Sequence, residues 1–127
     1  MRLLLILALL WPAIATAEVI ASSSIYVVDG DTVRAKGDKF RLVGFDTPET
    51  YKPRCEYELA LGRAATNRLR QLMASVRNVD LVILPGRDKY NRGLARLYVG
   101  RNDVADILVS EGLARRYNGG RRQSWCG

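Results

Sequence analysis

What most constrains this chain is the rhythm of its turn residues, which cut it into short apolar runs and leave one long stretch with a helical period. Residues 19–28 are rich in Val, Ile, Ser and Tyr, types that favour a strand. Asp29-Gly30-Asp31 stops that run with turn chemistry, and 32–35 forms the next strand. Lys36-Gly37-Asp38-Lys39 makes a hairpin turn, and 40–43 is a third strand. Pro48 and Pro53 then hold the chain in a loop, because each biases the residue before it away from helix.

From 56 to 73 the period changes: Leu61, Ala65, Leu69 and Leu72-Met73 fall on one face, with Arg63, Asn67, Arg68, Arg70 and Gln71 on the others. Gly62 costs this helix about 1 kcal/mol relative to Ala. It marks either a close backbone approach or the point where the helix begins. Two more strands follow, 79–84 ended by Pro85-Gly86, and 93–99 after a polar connection. Asp103 caps a second helix over 104–111, stopped by Gly112, and 113–117 is a short extended segment. Residues 118–122 read as loop. Three strands, a helix, two strands and a helix is the plan of an α+β domain: a five-stranded OB-fold-type β-barrel with two helices. Such barrels often bind oligonucleotides, but fold alone does not decide function.

The first residues stand outside that plan. Met1-Arg2 gives a positive start, 3–11 is almost wholly apolar, and Ala15-Thr16-Ala17 is a small-x-small site. This is the pattern of a signal peptide over 1–17, cleaved after Ala17, with one domain over 18–127. The alternative is an uncleaved N-terminal anchor, although the run is short of the roughly 20 residues a membrane span needs. The expectation is export to the periplasm or beyond the cell, with no membrane contact in the mature form. Loss of the leader removes one arginine and no acid, so the chain, at +7 overall, stays basic. A basic surface on a small domain suits a polyanion, though it also serves plain solubility.

Histidine is absent, which excludes imidazole bases, triads and ligands. The two cysteines, Cys55 and Cys126, cannot make a zinc set alone. In an oxidising compartment they are a disulfide candidate, closing a loop of about 70 residues worth about 4 kcal/mol. Free thiols and an intermolecular bond are the alternatives.

Three polar clusters remain: Asp29-Gly30-Asp31-Thr32; Arg41 followed by Asp46-Thr47-Pro48-Glu49; and Asp88-Lys89-Tyr90-Asn91-Arg92-Gly93. Each alone is an ordinary turn or loop. Together they hold the parts that phosphodiester hydrolysis requires. Asp31 and Asp46 are candidate ligands for a hard cation, Ca²⁺ or Mg²⁺. Arg41 and Arg92 are candidate phosphate clamps, since a guanidinium matches phosphate oxygens in pairs. Glu49 is the remaining nearby carboxylate and so the candidate base.

The runs Val27-Val28-Asp29-Gly30-Asp31-Thr32-Val33, Arg41-Leu42-Val43-Gly44-Phe45-Asp46-Thr47-Pro48-Glu49 and Asp88-Lys89-Tyr90-Asn91-Arg92-Gly93-Leu94-Ala95 resemble the thermonuclease (staphylococcal nuclease-like) family. The likeness covers about 19–117, with the motifs in order. It implies a calcium-dependent endonuclease acting on single-stranded DNA, RNA and loose duplex, leaving 3′-phosphate ends. It implies Asp31 and Asp46 as calcium ligands through side chains and Thr47 through its carbonyl. It implies Arg41 and Arg92 on the attacked phosphate and Glu49 on the water. Lys89 and Tyr90 stand where the family contacts the nucleotide end. Asp29 fits as a turn residue rather than a ligand.

The chain departs from that family at its end. In place of a third helix stands a basic tail closing in Trp125-Cys126-Gly127, which a Cys55–Cys126 bond would pin to the start of the first helix. Tyr117 is left as the obvious base-stacking residue there, beside Tyr51 and Tyr57 after Glu49. A monomer with no obligate protein partner is expected. The rival readings are a non-catalytic nucleic-acid-binding module and an exported interaction protein of the cell envelope. Neither needs Asp31, Arg41, Asp46, Glu49 and Arg92 together. Glu56, Glu58 and Asp80 read as solvated surface.

Overall fold

The computed structural model describes Ile6 and residues 14–127. The expected leader over 1–17 lies outside these residues except for Ile6 and 14–17, and the expected cleavage point after Ala17 falls within the first strand. No described helix is long and apolar enough to cross a membrane.

The run expected as one strand over 19–28 is two, β1 (Thr16–Ala21) and β2 (Tyr26–Asp29), parted by a 3-10 turn at Ser22–Ser24. The break has a long-range cause. Buried Ser22 donates its N–H to the Arg77 carbonyl at 2.9 Å and its hydroxyl to the Val76 carbonyl, tying the corner to the segment after the first helix. β3 (Thr32–Ala35) and β4 (Asp38–Leu42) form a hairpin, and β5 (Gly44–Asp46) follows almost at once. After α1 (Glu56–Ala74) come β6 (Asn78–Arg87), β7 (Gly93–Val99) and the short β8 (Asn102–Asp103). α2 (Val104–Ser110) and β9 (Arg115–Tyr117) complete the fold.

Pro85-Gly86, expected from sequence to end the strand, does not end β6. The strand runs on through a bulge between Leu84 and Arg87, where β1 no longer pairs and the missing proline N–H breaks no ladder on that side.

The main sheet has the order β1-β6-β7-β4-β3-β2, with β8 added to β7, while β5 and β9 pair separately. β1 and β2 are its two edges, yet they are consecutive in the chain, so the sheet must roll until the edges meet at Ser22–Ser24. The hydrogen-bonded ladder does not close into a ring. The result is an α+β fold of the OB type, mostly antiparallel, with two helices over the rolled sheet. One pairing is parallel: β4 lies beside β7, with Arg41 opposite Leu94.

Val33, Leu42, Phe45, Leu69, Leu81, Leu97 and Leu108 fill the core and are wholly buried. α1 faces it with Ala65, Leu69, Leu72 and Met73 as expected, but Leu61 is only half-buried. Gly62 lies on the buried side, and a methyl group there would stand 2.7 Å from the Pro48 carbonyl oxygen. The glycine therefore permits a close approach rather than marking the helix start. Glu58 is also buried, against its expectation as surface. Its carboxylate accepts the Arg54 N–H at 2.7 Å, while the Cys55 sulfur accepts the Glu58 N–H at 3.4 Å. This is a variant of the capping box, with a cysteine in the serine position and the glutamate reaching back to the residue before the cap.

Candidate functional site

Asp31 closes the turn after β2. Gly30 lets that turn abut the loop after β5, since a Cβ there would meet the Thr47 methyl at 2.8 Å. The contact is sealed by the Thr47 N–H, which donates to Asp31 Oδ2 at 3.1 Å. Asp29 accepts the Asp31 N–H at 3.2 Å and fixes the turn from within.

Arg41 stands on β4 opposite Thr32 and is buried. Its guanidinium donates to the carbonyls of Leu42 at 2.7 Å and Phe45 at 2.8 Å, so its plane is set by backbone. From there it lies 3.2 Å from Asp31 Oδ2 and 3.7 Å from Asp46 Oδ1. The parallel pairing sets the start of β7 beside it, and Arg92 is the residue just before that strand. Arg92 Nε donates to Asp88 Oδ2 at 2.6 Å, and Nη1 to Thr32 Oγ1 at 3.3 Å. Thr32 in turn donates to Asp31 Oδ1 at 3.2 Å. Glu49 is exposed at the rim, where its carboxylate accepts only the Tyr51 N–H, at 3.4 Å, among the described residues.

These side chains surround one cleft of about 210 Å³, lined by Asp29, Asp31, Arg41, Asp46, Thr47, Glu49, Tyr90 and Arg92 among others. Of the residues expected at a site, it gathers Asp31, Arg41, Asp46, Thr47, Glu49, Tyr90 and Arg92. Two stand apart. Lys89 holds its ammonium over the Tyr90 ring at 5.1 Å and does not line the cleft. Tyr117 donates its hydroxyl to the Gly120 carbonyl at 2.7 Å and borders the neighbouring hollows instead.

Arg122 also lines the cleft, its Nε 3.7 Å from Asp46 Oδ1, and sequence reading missed it. The bond between Cys55 and Cys126, with a Cα–Cα distance of 6.1 Å, folds the tail back beside the loop after Glu49 and carries Arg122 in. The one available signal was Cys55 itself, placed so soon after Glu49 that a bond to it delivers the basic tail to the site.

Negative charge is crowded here. Burial, then the Asp31 charge, pushes the Asp29 carboxyl up to about 7. Burial and Asp31 likewise raise Asp46, against the pull of Arg122, Arg41 and the Trp125 indole. That indole N–H is buried and has no formed hydrogen bond among the described residues. Among the described residues no three acidic, cysteine or histidine side chains converge tightly enough to hold a metal alone. The Asp31 and Asp46 carboxylates with the Thr47 carbonyl are nonetheless an all-oxygen set suited to a hard cation completed by water or substrate. A cation there would offset the Asp31 charge that, after burial, raises Asp29 and Asp46.

Residues 39–124 match the family described as staphylococcal nuclease homologue. The chain is 36% identical over 93 residues to the thermonuclease of Staphylococcus intermedius, across 70% of this chain and 55% of that protein. It is 39% identical over 94 residues to endonuclease YncB of Bacillus subtilis, across 69% of this chain and 44% of that one. The thermonuclease of Staphylococcus hyicus is 32% identical over 95 residues, across 72% and 56%. The chain thus spans about half the length of the curated relatives it matches. With the fold, the matched segment and the three motifs in agreement, the chain belongs to the staphylococcal nuclease homologue family.

Proposed function

We propose that this protein is an exported, calcium-dependent endonuclease that hydrolyses phosphodiester bonds in single-stranded DNA or RNA and leaves 3′-phosphate ends. One observation carries the reading: Arg41, on β4, and Arg92, just before the β7 strand that pairs with it in parallel, face the same small cleft as Asp31, Asp46 and Glu49. Arg41 and Arg92 bind the non-bridging oxygens of the attacked phosphate and offset the charge that grows there in the transition state. Because backbone carbonyls fix Arg41 and Asp88 fixes Arg92, little reorganisation is needed when the charge develops. Glu49, at the rim, orients the attacking water and accepts its proton. Asp31, Asp46 and the Thr47 carbonyl hold calcium, which when bound supplies positive charge to the phosphate. Tyr90, exposed and beside Arg92, offers a ring to the nucleotide.

The test is incubation with denatured DNA and with RNA, in calcium or in chelator, beside a Glu49→Gln variant. Cleavage only with calcium, slowed about a thousand-fold in the variant, is expected. Binding without cleavage by folded wild-type protein would sink the reading and leave a nucleic-acid-binding module.

A further inference from the structure

A second hollow, of about 310 Å³, adjoins the cleft and shares Asp46, Thr47, Glu49 and Arg122 with it. Its other walls are the loop carrying Tyr51, Lys52 and Arg54 and the tail carrying Trp125. Against the carboxylates of Asp46, Glu49 and Glu58 the lining sets three cations, Lys52, Arg54 and Arg122, and two aromatic rings, Tyr51 and Trp125; cations and rings together grip single-stranded nucleic acid by phosphate contact and stacking. Tyr51 is 83% exposed, with the Lys52 ammonium 5.6 Å from its ring, so the ring is presented to solvent without a packing partner of its own size. Among the described residues Arg122 has one carboxylate within 4 Å, Asp46 at a loose 3.7 Å, with the Tyr117 ring 5.4 Å away, and its side chain stays about half exposed. It stands where the two hollows meet.

The tail side of this hollow is held by two devices. The Cys55–Cys126 bond fixes the end of the tail to the first residue of the α1 cap. The Arg115 guanidinium stacks on the Trp125 ring at 3.7 Å from its centre and donates to the Ser124 carbonyl at 2.9 Å. The opposite wall is held by the Glu58 carboxylate on the Arg54 N–H. Both walls are thus built, and the cysteine pair couples them.

We propose that this hollow is a second nucleotide subsite, in which Arg122, Lys52 and Arg54 take the phosphate next to the scissile one and Tyr51 stacks on its base. The disulfide assembles it by fastening the tail. The proposal rests on the nuclease reading for which phosphate is scissile, but occupancy of the hollow can be measured without turnover. Arg122 is a substrate-binding residue in this scheme, and the cysteines are positioning residues.

The experiment uses the full disulfide-bonded protein and fluorescent, cleavage-resistant phosphorothioate oligothymidylates, a dinucleotide and an octanucleotide, with affinity read by anisotropy in calcium. Wild-type protein binds the longer probe more tightly. Arg122→Ala weakens octanucleotide binding about ten-fold while dinucleotide binding changes less than about two-fold, and Arg122→Lys recovers part of the loss. Tyr51→Ala gives a similar length-selective loss. A Cys55→Ser, Cys126→Ser double variant, measured where circular dichroism shows it folded, reproduces the Arg122→Ala pattern. Equal wild-type affinity for the two lengths would overturn the subsite. So would an equal loss on both probes in Arg122→Ala, which would make Arg122 a counter-charge for Asp46 alone. Ordinary phosphodiester DNA is tested in parallel: tight, length-dependent binding with no cleavage would end the nuclease reading and leave the subsite standing.

Discussion

Arg92 owes its position to Asp88, whose carboxylate accepts the Arg92 Nε at 2.6 Å, the Arg92 N–H at 2.9 Å and the Tyr90 N–H at 2.9 Å. Asp88 touches no expected substrate, so its replacement separates placement from chemistry. Asp88→Ala should cost about 1 kcal/mol of stability or less, because the pair is partly solvated, yet lower turnover about ten-fold or more by freeing the guanidinium. Thermal melting and steady-state cleavage measure the two separately; equal small effects on both would refute the placement. Burial alone would raise the Asp88 carboxyl, but hydrogen bonds from the Arg92 backbone and side chain, then the Arg92 charge and the Tyr90 N–H, hold it below the ordinary carboxylate value. A depressed carboxyl contributes stability above its unfolded pKa and loses it as pH falls through the lower folded value. The stability gap between wild type and Asp88→Asn, measured by denaturant titration, should therefore be present at neutral pH and vanish in strong acid.

At the scale of elements, α1 and the loop that carries Glu49 meet at one bare position. Gly62→Ala brings up to about 1 kcal/mol of helix propensity but forces a methyl within 2.7 Å of the Pro48 carbonyl, a clash costing about 1–3 kcal/mol. The melting temperature should fall, and cleavage should fall further than stability, because Glu49 moves with Pro48. A variant that melts higher and cleaves normally would show that the loop yields freely. The local chemistry of the elements was readable in the sequence. The period of Ala65, Leu69, Leu72 and Met73 gave α1, and Asp103 gave the cap of α2, where it accepts the Ala105 N–H at 2.9 Å. The three polar motifs were readable too, and the structure gathers their Asp31, Arg41, Asp46, Glu49 and Arg92 at one cleft, Arg41 and Asp46 from strands and the others from turns and loops. What local pattern did not contain is pairing at a distance. Ser22–Ser24 looks strand-like until Ser22 finds the carbonyls of Val76 and Arg77. Nothing within 38–42 or 93–99 specifies that these strands lie parallel. Glu58 looked solvated because its partner, the Arg54 N–H, is a backbone group that no side-chain pattern reveals. Arg122 was hidden for the same reason, since a covalent bond 71 residues long in sequence carries it to the cleft.

For the whole molecule, the Cys55–Cys126 bond restrains most of the chain that follows the site loop. Closing 71 residues of sequence stabilises the fold by about 4 kcal/mol in the loop-entropy picture. Reduction should lower the melting temperature by about 10 °C or more, seen by calorimetry with and without reductant; an unchanged melt would mean that the tail adds nothing to the fold. The parallel β4–β7 pair adds a constraint of another kind. Asp31, Arg41, Arg92 and Arg122 belong to separate segments and share a cleft only once that pair has formed. Contacts so distant in sequence form slowly, because loop closure must precede them. On refolding from denaturant, cleavage should return with the last kinetic phase and not with the earlier gain of helix. A full-length chain that has not yet folded then carries every residue of the proposed nuclease without its hazard, and the cell that makes this protein is exposed to hydrolysis of its own nucleic acid only by the finished molecule.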